Sequence, residues 1–174
     1  MKTFKTISLA IITLLFFQSC DEVEELTSVD ISTDIVKQVT ITTNQGGDFE
    51  KTLIFNLSDS SEVEKYLDHI EGVKIARAHY KVVAFPGDLF VAGTVSVVSE
   101  NQIFGPFTHN NFENDFENET VFNLEGVEKL NIIATKLKNT KQVSVTISGT
   151  AEVDQAFTMT LEVGVGMVVT AQAL

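Results

Sequence analysis

The stretch HNNFENDFENET (109–120) holds the side chains of this 174-residue chain that come closest to a chemical site. Glu113, Asp115, Glu117 and Glu119 are hard oxygen ligands set among asparagines, the donor type that calcium prefers in a flexible loop. Their spacing does not match an EF-hand loop. Phe112 and Phe116 are four residues apart, so an equal reading is a short helical turn that docks two rings on the domain. The metal expectation is therefore a weak calcium site at Glu113, Asp115, Glu117 and Glu119, weighed against a solvated loop or a packed turn.

Other chemistries find less to work with. His69, His79 and His109 are the only histidines, and none lies at zinc-ligand spacing from another. No Gly-x-Ser-x-Gly elbow is present, and the serines at 58 to 61 are better explained by helix capping. There is no Gly-Lys-Ser/Thr phosphate loop, and Gly164-Val165-Gly166 lies in a strand without the rest of a dinucleotide fingerprint. Among 24 acidic residues no spacing singles out a pair for glycoside hydrolysis. With no Trp, two Tyr and 13 Phe, the aromatics speak for a core rather than for sugar-stacking platforms. The expectation is no catalytic residue and no cofactor.

The N-terminus carries the most specific signal. Lys2 and Lys5 give a positive start, Ile7 to Phe17 an apolar stretch, and Gln18-Ser19 small or polar residues before the single cysteine, Cys20. Eleven helical residues rise only about 16 Å, against roughly 30 Å of hydrocarbon, so this is a secretory leader rather than a span. Phe17-Gln18-Ser19-Cys20 resembles the lipobox of bacterial lipoproteins. The resemblance implies a diacylglycerol on the Cys20 thiol, cleavage just before it, and acylation of the new N-terminus. Several acyl chains anchor stably where one would not.

Asp21-Glu22-Val23-Glu24-Glu25 follows at once. As plain chemistry it is a self-repelling, solvated tether. It also resembles the acidic run that directs Bacteroidota lipoproteins to the outer face of the outer membrane. That resemblance implies a surface-exposed, lipid-anchored protein, with periplasm-facing outer membrane and inner-membrane retention as alternatives.

Cleavage after Ser19 leaves 155 residues, and removal of Lys2 and Lys5 leaves 10 basic against 24 acidic side chains, a net −14. Such a surface repels phosphate backbones, which excludes nucleic acid as an expected partner, and it leaves membrane attachment to the lipid. The expected partition is a leader over 1–19, an acidic tether over 20–30 and one domain over 31–174, large enough to bury a core without disulfides.

Within that domain, period-two alternation dominates. It predicts strands over 35–43 and 49–57 joined as a hairpin through Gly46-Gly47, then strands over 73–85, 89–99, 121–124, 143–153 and 157–169. Val63, Leu67 and Ile70 predict one short helix with a Ser61–Glu64 capping box and Gly72 at its end. Val127, Leu130, Ala134 and Leu137 predict a second helix, and 100–120, with Gly105-Pro106 inside, reads as loop. Gly164 and Gly166 thin one face of the last strand, where a bulge or a close neighbour would fit.

The sequence also echoes itself. IFNL (54–57) precedes the first helix and VFNL (121–124) the second, which is either coincidence or a diverged strand-helix-strand-strand duplication. The latter predicts a pseudo-twofold sandwich with a helix at each end. The expected fold is mainly β, an antiparallel two-sheet β-sandwich with two short helices. The expected function is non-catalytic binding, adhesion or scaffolding at the cell envelope, toward another envelope protein or a polysaccharide. The alternatives are a calcium- or small-ligand-binding domain and, further off, a glycan-acting hydrolase.

Overall fold

The computed structural model describes residues 28–86, 89–116, 118–122 and 126–174, so the leader, Cys20 and the acids that follow it lie outside the described residues. The described strands are β1 (Ser28–Thr43), β2 (Gly47–Asn56), β3 (Ile70–Ala84), β4 (Ala92–Ser99), β5 (Gln102–His109), β6 (Thr120–Val121), β7 (Gln142–Glu152) and β8 (Phe157–Gln172). The α-helices are α1 (Ser61–Glu64) and α2 (Val127–Thr140), and short 3-10 turns occupy Leu57–Asp59, Leu67–His69 and Phe112–Asp115. Two four-stranded antiparallel sheets face each other: sheet A in the order β1-β8-β3-β6 and sheet B in the order β2-β7-β4-β5. The β-sandwich expected from the alternation is what the chain forms.

The alternation explains which faces meet. In β8, Phe157, Met159, Leu161, Val163, Val165, Met167, Val169 and Ala171 are all buried, while the residues between them face outward. Ile35 and Ile41 of β1, Tyr80 and Val82 of β3, Phe55 of β2 and Ile147 of β7 close on the same core. Phe104, Phe107, Phe122 and Tyr80 form an aromatic cluster at one side, with ring centroids 5.1 to 6.4 Å apart.

Adjacent strands in sequence are mostly not adjacent in space. The expected β1–β2 hairpin does not form: β1 pairs along its whole length with β8, from Ser28↔Gln172 to Thr43↔Phe157, and β2 pairs with β7. The turn at Gly46 carries the chain from one sheet to the other instead. A second difference is β5, which lies in the stretch read as loop. The cis Gly105–Pro106 step sits at a register shift opposite Val95 and Val97, so a proline that lacks an N–H is accommodated at a bulge on an edge strand.

The helices differ in quality. In α2, Leu130, Ile133, Ala134 and Leu137 are buried as one stripe, whereas Val127 at its start is exposed. Lys141 ends α2 in the left-handed conformation and its N–H donates to the Leu137 carbonyl. The first predicted helix is reduced to four residues flanked by 3-10 turns. Ile70 is drawn into β3 by pairing with Ala171, and Gly72 is a strand residue rather than a stop. The capping box expected at Ser61 and Glu64 is replaced one turn earlier, where Asp59 accepts from the Asn56 backbone N–H at 2.8 Å.

Shifting every strand number by four turns the order of sheet A into that of sheet B. The topology therefore has the internal symmetry that a duplication requires, with α1 and its turns matching α2. The registers differ, since Ile54 faces Ser144 early in β7 while Val121 faces His79 well along β3. Both helical segments lie at one end, not one at each: the Leu57 N–H donates to the Lys141 carbonyl at 2.9 Å. We call this end the base. It also holds Ser28 and Gln172, and residues 44–46, 85–86, 89–91, 110–116, 118–119 and 153–156 lie at the distal end.

Each sheet edge is guarded. Lys37 on β1 and Lys51 on β2 occupy inward positions on edge strands, Lys37 satisfied by Asp59 at 2.8 Å. On β5 the bulge and Pro106 interrupt the edge, and Lys129 Nζ donates to the Ile103 carbonyl at 2.7 Å. β6 is two residues long.

At the distal end of sheet B, two glycines make room for rings. A Cβ on Gly149 would run into the Thr94 carbonyl and the Phe49 ring, and one on Gly93 into the Thr150 carbonyl and the Phe112 ring. Because the first obstacle is backbone, Gly149→Ala should destabilise the domain by about 3 kcal/mol. A denaturant titration checks this through a lowered midpoint at unchanged slope.

Candidate functional site

The segment singled out by its carboxylates, 109–120, crosses the distal end from sheet B to sheet A. It is positioned by Phe112, whose ring is fully buried over Gly93 and whose N–H donates to the Val91 carbonyl. Asn111 caps the turn: its side-chain oxygen accepts from the N–H groups of Glu113 and Val91, and its amide donates to Glu113. Of the two rings expected to dock, Phe112 does so and Phe116 stays 44% exposed. The packed-turn reading thus describes half of the segment.

The carboxylates diverge. Glu113 bonds Asn111, Asp115 bonds His109, and Glu119 meets the guanidinium of Arg77, while Glu117 lies outside the described residues. Among the described residues no group of three or more His, Cys, Asp or Glu side chains could hold a metal ion.

What the segment does assemble is a polar line that runs from the surface at Asp115 into the core. The Tyr80 hydroxyl lies 2.6 Å from His109 Nε2, and His109 Nδ1 lies 2.7 Å from Asp115 Oδ2. A carboxylate only accepts, so Nδ1 carries a hydrogen, and in the neutral ring Nε2 then accepts from the phenol. The imidazole stacks on Phe112 at 4.6 Å between centroids. Burial raises the Tyr80 phenol well above the ordinary tyrosine value; the Thr120 side chain opposes this and Asp115 adds to it. Tyr80 is 1% exposed and His109 5%, so neither reactive atom meets solvent. The line can fasten β3, β5 and the Phe112–Asp115 turn together, with the phenol and imidazole enclosed and the Asp115 side chain 41% exposed at its outer end. Sequence reading missed it because Tyr80 and His109 are 29 residues apart; the one signal was a histidine at an inward position after Phe107.

On the outer face of sheet A, His79 lies flat on Gly164, where a Cβ would collide with its ring. The close neighbour expected at this thinned position is therefore an imidazole. Its Nε2 is 3.6 Å from Glu119, and its Nδ1 is buried with no hydrogen-bond partner. Beside it runs a cross-strand row in which Glu162 accepts from Gln38 at 2.9 Å and faces Lys81 at 3.3 Å. Gln38 and Lys81 outweigh burial and hold the Glu162 carboxyl below its usual value. At Asp59, burial pulls upward but is outweighed by Lys37 and the Asn56 N–H, leaving that carboxyl low as well.

The distal end holds a second feature that sequence reading did not find. Phe90 is 69% exposed and walls a cleft whose other lining comes from the β1–β2 and β7–β8 turns. No protein-family model and no curated protein sequence matches the chain, so its chemistry is read from its own residues.

Burial, and next the Arg77 charge, lower the His79 imidazole below its ordinary value; Lys81 acts in the same direction, against Asp34 and Glu162. As pH falls through about 6.5, the unfolded chain takes up a proton that the folded chain does not. Stability should therefore fall over this window and level off once pH passes the depressed folded value. Thermal melts of the chain and of His79→Gln between neutral and mildly acidic pH check this: the variant's Tm should decline less. Parallel declines would refute the assignment to His79. The stabilisation from Glu162 and Asp59 is present above the usual carboxylate range and lost at lower pH, so it does not enter this window.

Proposed function

We propose that this chain is a lipid-anchored cell-envelope protein, held on the outer membrane and facing outward, that works by binding or scaffolding rather than by catalysis. The observation that carries the reading is Cys20, set between an apolar leader and the acidic run Asp21–Glu25. The fold is consistent with it in two respects. Cys20 stands eight residues before Ser28, which pairs with Gln172 at the base, so even a fully extended link spans at most about 28 Å. A lipid at Cys20 would thus hold the base near the membrane and turn the distal loops away from it. The Tyr80–His109–Asp115 line is compatible with a non-catalytic reading, because the Tyr80 phenol and His109 imidazole are buried and committed to their partners and only the Asp115 carboxylate reaches the surface.

Cys20→Ser removes the lipidated atom and leaves the domain untouched. The variant should leave the membrane fraction, while the unaltered chain stays there and is shaved from intact cells by added protease. Continued membrane association of the variant would overturn the anchor. Protection of the unaltered chain from protease would place the domain on the periplasmic side instead.

A further inference from the structure

We propose that the distal cleft walled by Phe90 receives an arginine side chain presented by a partner polypeptide. The cleft is an open groove of about 680 Å³, wide enough to admit a long side chain. Its floor is backbone: Gly47 pairs with Ala151, and a Cβ on Gly46 would lie 2.6 Å from the carbonyl oxygens of Ala151 and Val153. Gly46 also holds a positive φ of 70° that other residues adopt with strain, so the two turns are locked against each other and the cleft is preformed.

Two chemistries meet there. Phe90, 69% exposed, presents the most exposed aromatic ring among the described residues. Asp48, Glu152 and Asp154 line the same cleft, all exposed, and among the described residues none of them has an ion-pair partner. Among the described residues no Lys or Arg lines it. A planar cation that stacks on a ring while donating to carboxylates satisfies both demands. Guanidinium does this better than ammonium, because its fork donates to carboxylates while its face remains free to stack. The net charge of −12 would draw a basic partner toward the surface. A second groove that joins carboxylates to a ring, Asp30 and Glu62 with Tyr66, already holds its own cation, with Lys65 Nζ 5.1 Å from the Tyr66 ring centroid, whereas the Phe90 cleft has its ring and carboxylates uncommitted among the described residues. The inference deepens the binding-module reading and rests on its non-catalytic part, not on the anchor.

The test uses the full chain in detergent micelles and a blocked Gly/Ser peptide carrying one arginine, with lysine and citrulline versions as controls. The arginine peptide should shift the resonances of Phe90, Gly47 and Ala151, the lysine version should bind several-fold more weakly, and the neutral citrulline version should not bind. Phe90→Ala should weaken binding about tenfold, and so should Asp48→Asn with Glu152→Gln and Asp154→Asn. Because Phe90 is exposed, its removal leaves the fold intact. Affinity unchanged in Phe90→Ala, equal binding of lysine and arginine, shifts confined to other acidic surfaces, or no binding would each overturn the proposal. Binding in micelles does not depend on which membrane face the protein occupies, so its failure is separable from the outcome of Cys20→Ser.

Discussion

Sheet A does not exist until β8 arrives. β1 and β3 are both early strands of that sheet, yet they do not touch each other; each pairs with opposite edges of β8, the last strand of the chain. β7 plays the same part in sheet B, standing between β2 and β4. The two halves that the internal echo suggests are therefore not two domains. Each contributes two strands to each sheet, and neither half can close a sheet alone. Sixteen paired residues between β1 and β8 tie the ends of the described chain together, so cooperativity is built into the connectivity.

That constraint makes sense of the guarded edges. Pairings so distant in sequence form late and leave strands unpaired meanwhile, and unpaired strands recruit other chains. Lys37 and Lys51 occupy inward positions that an apolar residue would fill with more burial, and Pro106 interrupts the ladder of β5. Each gives up some packing for protection against edge pairing. α2 caps the remaining side of the core, packed on β3 where β6 is too short to pair.

The elements that could be read from sequence were those whose period is undisturbed. β8 alternates without a break and α2 carries an apolar stripe with lysines at its end; both lie close to where the pattern put them. β5 was hidden because Gly-Pro is ordinarily turn chemistry, and here it is a bulge. The β1–β2 pairing was misread because adjacency in sequence is the usual guide to adjacency in a sheet, and interleaved sheets break it. The four carboxylates looked like one site because they are close in sequence, yet Glu113, Asp115 and Glu119 serve separate neighbours. The Tyr80–His109 contact had no local spacing to announce it.

The same geometry narrows where a partner could dock. The edges are blunted, which argues against strand addition. The base is occupied by α1 and α2 and by the start of β1 at Ser28. On the outer faces, threonines bond one another across strands, as in Thr52–Thr146, Thr94–Thr150 and Thr40–Thr160, satisfying hydroxyls that would otherwise seek a ligand. The distal turns are different. Gly46 packs its backbone against the Ala151 and Val153 carbonyls, and yet the same end leaves an aromatic ring exposed and three carboxylates without an ion-pair partner among the described residues. A fold that pairs or covers so many of its other polar groups and edges leaves an exposed ring and three unpaired carboxylates, among the described residues, at the end farthest from the base.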